Sequence, residues 1–172
     1  GTYYEHDLYF NKNLSIIGQE NTIVSCEGKS AFTISNGNTV VIDTITFANG
    51  SSALKNYGNM LIRNSSFENN KCSIISISEG NENYLNITGS IFFNDMETAI
   101  SVENTSLHLG YSLLANNALA INRTGENAAD IENNWWGNTV EDSEFDSNLL
   151  NGIGLPDKYL VLNISANSTN PT

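Results

Sequence analysis

Acidic side chains outnumber basic ones 19 to 7 in this chain of 172 residues, so carboxylate chemistry is the first to test. Glycoside hydrolysis needs two carboxyl groups roughly 5–9.5 Å apart. Glu68 and Asp95 are the nearest candidates. On the repeat described below they fall one coil apart and offset by two residues, with Cα atoms about 8 Å apart. Among 19 carboxylates one such diagonal pair arises by chance, so it is kept as a fallback and no residue is assigned a catalytic role. Only His6, His108, Cys26 and Cys72 are available as nitrogen and sulfur ligands, too few in arrangement for a zinc site. Asp142, Glu144, Asp146 and Asn148 alternate oxygen-bearing side chains, but the stretch lacks the turn glycine and closing glutamate of a calcium-binding EF-hand loop. A solvated acidic loop is expected there, with no metal and no cofactor. The remaining binding signal is aromatic. Tyr57, Tyr84, Tyr111 and Trp135 are expected to face outward, where a flat ring can stack on a sugar face. For any one ring taken alone, packing is the commoner role.

Charge and hydropathy exclude several partners. A net charge of −12 repels phosphate backbones and anionic lipid surfaces. No run of eighteen apolar residues is present, so no membrane insertion is expected. The opening Gly1-Thr2-Tyr3-Tyr4 has no basic or apolar leader and reads as a cut inside a longer protein.

The elements that must position these residues are written as a repeat. Five segments share one pattern: VVIDTITFAN (40–49), MLIRNSSFEN (60–69), LNITGSIFFN (85–94), LHLGYSLLAN (107–116) and ADIENNWWGN (129–138). Each carries a bulky residue, Phe47, Phe67, Phe92, Leu114 or Trp136, and two residues later an asparagine. Those are Asn49, Asn69, Asn94, Asn116 and Asn138. A looser segment lies between them, as in AFTISN (31–36) and AISVEN (99–104). Each period therefore holds an alternating strand, a two-residue corner, a short strand, a variable turn and another strand. Alternation buries one side, so Val40 and Ile42, Met60 and Ile62, Leu85 and Ile87, and Leu107 and Leu109 point inward. A single coil cannot cover its own apolar side, whereas coils stacked in register can. The expectation is an all-β chain: a right-handed parallel β-helix, a solenoid of about six to seven coils, over residues 1–150. The five aligned asparagines are expected to form a ladder of amide hydrogen bonds. Residues 151–172 are expected to be an exit strand and linker toward a following domain.

Cys26 and Cys72 fall on non-adjacent coils, so two buried free thiols are expected. Eight Asn-x-Ser/Thr sequons occur, little above chance in a chain with 28 Asn and 32 Ser or Thr.

A family likeness then emerges. GTYYEHDLYFNKNLSIIG (1–18) resembles the opening coil of pectinesterase-like and related right-handed β-helix proteins. Together with the Phe-x-Asn coils, NNWWGN (133–138) and YLVLNISA (159–166), it looks like the β-helix region of adhesin-like surface proteins of methanogenic archaea. The Trp-Trp-Gly coil is the most specific piece, and the pectinesterase and lyase active-site motifs are not recognisable. The resemblance implies an extracellular, cell-surface, non-catalytic domain. It would be monomeric within a longer multidomain chain, followed by an immunoglobulin-like domain, and would contact another cell or an extracellular glycan. A carbohydrate-active enzyme and a passive stalk are the alternatives.

Overall fold

The computed structural model describes residues 1–80, 82–137 and 145–161. The chain winds as a parallel β-solenoid of about six turns with three strands per coil. The first coil holds β1 (Thr2–Tyr3), β2 (Leu8–Phe10) and β3 (Leu14–Ile17). The second holds β4 (Ile23–Ser25), β5 (Phe32–Ile34) and β6 (Thr39–Asp43), and the third β7 (Thr46–Ala48), β8 (Ser52–Asn56) and β9 (Asn59–Arg63). The fourth holds β10 (Ser66–Glu68), β11 (Cys72–Ile77) and β12 (Asn83–Thr88). The fifth holds β13 (Ile91–Phe93), β14 (Thr98–Glu103) and β15 (Thr105–Gly110). The sixth holds β16 (Leu113–Ala115), β17 (Ile121–Thr124) and β18 (Ala129–Asp130). A short 3-10 turn, Ser147–Leu149, then leads to β19 (Leu150–Asn151). Corresponding strands stack into three parallel sheets, with β19 extending the second.

The core follows from strict register. Val40, Met60, Leu85 and Leu107 pile in one column, and Ile42, Ile62, Ile87 and Leu109 in the next, all buried as expected. Phe47, Phe67, Phe92 and Leu114 are direct partners along the first sheet. The Phe47 and Phe67 rings stack at 5.3 Å and the Phe67 and Phe92 rings at 4.8 Å. That spacing matches the distance between neighbouring strands, so ring stacking and backbone pairing reinforce each other. Trp136, 1% exposed, tops this column and meets Phe145 edge-on at 5.4 Å. Phe145 in turn packs on Tyr159, and Leu149, Leu150 and Ile153 complete the cover. Residues 145–161 thus lie back against the sixth coil, with Tyr159 bridged to Asn134. The expected exit segment is seen only as far as residue 161.

At the corners the backbone leaves the sheet, and its N–H groups need other acceptors. Side chains one coil onward supply them. Ile45 N–H donates to Ser65 Oγ (3.3 Å), Ser65 N–H to Ser90 Oγ (3.3 Å) and Ser90 N–H to Ser112 Oγ (3.1 Å). Ser112 N–H ends the series on Asn134 Oδ1 (2.8 Å). At the corner after the short strand, Gly50 N–H donates to Asn70 Oδ1 (2.8 Å), Asn70 N–H to Asp95 Oδ1 (3.0 Å) and Asp95 N–H to Asn117 Oδ1 (2.9 Å).

This second ladder corrects the expected one. It runs one residue after Asn49, Asn69, Asn94 and Asn116, which are themselves exposed. Those four take left-handed backbone, with φ of 60°, 56°, 60° and 56°. Asparagine is placed there because it tolerates that conformation better than other residues with a Cβ. Among the described residues, one side-chain amide link joins them, Asn94 Nδ2 donating to Asn69 Oδ1 at 3.4 Å. Asn138 lies outside the described residues. The other corner is also left-handed, at Thr44, Asn64, Gly89, Tyr111 and Asn133.

Two substitutions separate core from corner. Phe67→Ala should lower the unfolding free energy by about 3–5 kcal/mol, because the cavity would open between two stacked rings. Thr44→Asn should raise it by about 1 kcal/mol by relieving a β-branched residue at positive φ. Urea unfolding midpoints at unchanged m-value check both.

Candidate functional site

The outward side of the third sheet carries a mixed set of polar side chains. Because Leu85, Ile87, Leu107 and Leu109 point inward, Tyr84, Asn86, Ser106 and His108 point outward. Pairing sets Tyr84 beside Ser106, Asn86 beside His108, and His108 beside Asp130 on the next coil. Ser106 and Ala128 are small, so a hollow of about 300 Å³ opens between the Tyr84 ring and the His108–Asp130 pair. That volume is near the lower end of small-ligand pockets, which run from roughly 300 Å³ upward.

His108 Nδ1 lies 3.0 Å from Asp130 Oδ2, with both side chains about half exposed (50% and 53%). An exposed pair of this kind adds little stability. Its effect is to hold the imidazole in one orientation. The Nε2 edge leans over Gly110, where an added Cβ would sit 3.6 Å away. Ser106 lies two residues the other way along β15, so the imidazole is not presented to its hydroxyl. The hollow offers a ring face, an amide, a hydroxyl, a carboxylate and an imidazole, which suits recognition of a small polyhydroxylated molecule.

The other expected ligand-binding aromatics fall elsewhere. Tyr57 is half-buried in the turn before β9, with its carbonyl accepting from Asn83 Nδ2 at 2.7 Å. Tyr111 stands 68% exposed at a left-handed corner, φ 53°, between the third and first sheets. Trp135 is on the outward side of the first sheet, bridged to Leu113. It borders an apolar area with Leu113, Leu160 and Val161. Ile91 and Phe93 extend the exposed apolar side chains of that sheet. Sequence reasoning did not single out Ile91 and Phe93, although strand alternation around the inward Phe92 marks both as outward. The four aromatics therefore do not converge on one site.

The fallback carboxylates are split by the corner between them. Glu68 is on the outward side of β10, where Ser66 Oγ donates to it at 2.8 Å. Asp95 is 2% exposed and turned inward, with Ser73 Oγ donating to Oδ2 at 2.5 Å and Asn70 N–H to Oδ1. Burial pushes its carboxyl up to about 6, against the opposing hydrogen bonds from Ser73 and Asn70. The expected diagonal assumed that both side chains point outward, which the buried corner ladder prevents for Asp95. Another outward carboxylate opposite a cation, Asp43 across from Arg63, is taken by Thr44 Oγ1 (2.9 Å) and Asn64 Nδ2 (3.2 Å).

Of the acidic loop, Asp142 and Glu144 lie outside the described residues. Asp146 Oδ1 accepts from Asn148 N–H (3.0 Å) and Nδ2 (2.9 Å), the capping arrangement of the 3-10 turn. Glu132 accepts from the N–H groups of Asp157 (2.9 Å) and Lys158 (2.5 Å), tying the final described segment to the sixth coil. That anchoring role had no mark in the sequence pattern.

Comparison with known proteins adds no relative: no protein-family description, no curated protein and no solved structure matches the chain.

Cys26 and Cys72 are free and buried, in the second and fourth coils. Burial pushes their thiols up to about 11 and about 12. A thiol-reactive chromogen at pH 8 should therefore label neither residue in the folded protein and both after unfolding in urea. Rapid labelling of either in the folded protein would contradict this burial.

Proposed function

We propose that this chain is a non-catalytic binding domain of a cell-surface adhesin, which holds an extracellular glycan in the hollow between Tyr84 and the His108–Asp130 pair. The observation that carries the reading is that hollow. A sugar offers one apolar ring face and several hydroxyls. Tyr84 supplies a surface for the first. Asn86, Ser106, His108 and Asp130 supply donors and acceptors for the second. The groups sit on stacked strands and not on loops, so little ordering entropy is lost on binding. A net charge of −12 disfavours polyanionic sugars, so the ligand is a neutral or amino sugar.

Tyr111 stands apart from the hollow and is a separate candidate contact in this reading. Equivalent corners use Thr44, Asn64, Gly89 and Asn133, of which the asparagines and the glycine accept positive φ at low cost. A tyrosine held there, largely exposed, bears backbone strain on the order of 1–2 kcal/mol for no packing gain. The likeness of the opening coil and of the Trp-Trp-Gly segment to methanogen surface proteins supports placement outside the cell, within a longer chain.

A glycan array with neutral, amino-sugar and uronic-acid members tests the proposal. Binding should fall at least about tenfold in Tyr84→Ala and Asp130→Ala, less in Tyr111→Ala, and stay unchanged in Tyr57→Ala and Trp135→Ala. Unchanged binding in Tyr84→Ala would remove the hollow as the site. A blank array together with no whole-cell binding would favour a passive stalk.

A further inference from the structure

The corner ladder after the short strands contains one residue that does not match its neighbours. Asn70 and Asn117 each accept a backbone N–H with Oδ1 and donate with Nδ2. Donated hydrogens reach Phe47 O (3.3 Å) and Phe92 O (3.1 Å), one coil back, and Asn70 Nδ2 also donates to Ser73 Oγ at 3.0 Å. Asp95 occupies the same position in the coil between them. It accepts from Asn70 N–H as an asparagine would. By register its remaining counterpart is the carbonyl of Phe67, and an ionised carboxylate has no hydrogen to give it.

We infer that Asp95 makes the fourth and fifth coils an acid-tightened joint: the corner ladder accepts through Asp95 in either state, but its buried side chain can donate in turn, and is free of an uncompensated charge, only when its carboxyl carries a proton. A protonated Asp95 mimics the amide of its neighbours, with one oxygen accepting and one O–H available to donate. An ionised Asp95 is a 2% exposed charge facing no cation, held by the Ser73 hydroxyl and by the backbone N–H and side-chain amide of Asn70. Burying such a charge without a counter-ion is costly, which is why the carboxyl is pushed up to about 6.

The surrounding titratable groups do not offset this. Cys72, on the strand beneath, is buried and neutral at ordinary pH. Glu68, at the end of β10, is engaged by Ser66. Glu97, following the corner, is paired with Lys71 at 3.1 Å, both exposed. The coil above contributes Asn117, which is uncharged.

The sign follows from linkage. The folded value lies above the unfolded one, so the folded state binds the extra proton between the two, and stability falls as pH rises through about 6. Unfolding free energies should be measured by urea from pH 4.5 to 7.5 on the whole chain, comparing the parent with Asp95→Asn. The parent's unfolding constant should rise roughly 20-fold across that range relative to the variant. Asp95→Asn should be the more stable protein at pH 7.5 and close to the parent at pH 4.5. Ser73→Ala, which removes a hydrogen bond to the charged form, should move the parent's transition to higher pH. Parallel pH profiles for the parent and Asp95→Asn would overturn the inference, as would an Asp95→Asn protein less stable than the parent at pH 7.5. A transition unmoved or lowered in Ser73→Ala would also count against it. Glycan binding plays no part in these readouts.

Discussion

Everything in this molecule depends on one constraint: a coil of chain has no core until another coil lies on it in register. The backbone of each strand finds its partners only in the coils above and below. Register is therefore held wherever the chain has a means to hold it. Ring stacking at Phe47, Phe67 and Phe92 holds it in the interior. Serine and asparagine side chains hold it at the corners, where the sheet itself can no longer do so. A slip of one residue would break both at once and turn every inward side chain outward.

The same constraint explains what was legible in the sequence. Inward columns repeat one residue class, so the aliphatic pairs and the phenylalanine row could be read directly, and the coil count with them. The corner ladder lies one position after the column that the sequence marks. Asn49, Asn69, Asn94 and Asn116 form the uniform column, and a repeat pattern exposes uniform columns. The ladder's own members are Gly50, Asn70, Asp95 and Asn117, a mixed set that shares a geometry and not an identity. The serine ladder, Ser65, Ser90 and Ser112, was uniform but lost among 32 Ser and Thr.

The candidate site was less legible because it belongs to no single coil. Tyr84 could be singled out as an outward ring. The hollow beside it exists because Ser106 and Ala128 are small on the next two coils, and because His108 is held by Asp130 across a third pairing. Absence of bulk is not a motif. Conversely, Glu68 and Asp95 looked like a pair because strand rise and coil spacing place their Cα atoms, while the direction of the Asp95 side chain is set by the hydrogen-bonding need of Asn70 N–H.

The uneven spacing of the repeat has a consequence for how such a chain can change over generations. Successive alternating segments begin 20, 25, 22 and 22 residues apart, yet the strands they start pair without offset. The surplus is taken up outside the paired strands, between β11 and β12 in the longest case. Insertions and deletions of a few residues are thus absorbed in the turns between strands, leaving the columns intact. Gain or loss of a whole coil is also neutral to the remainder, since each coil touches only its neighbours. A lineage of such chains can lengthen, shorten and bulge at its turns while its interior keeps the same alphabet, and the outward columns are free to drift toward new ligands.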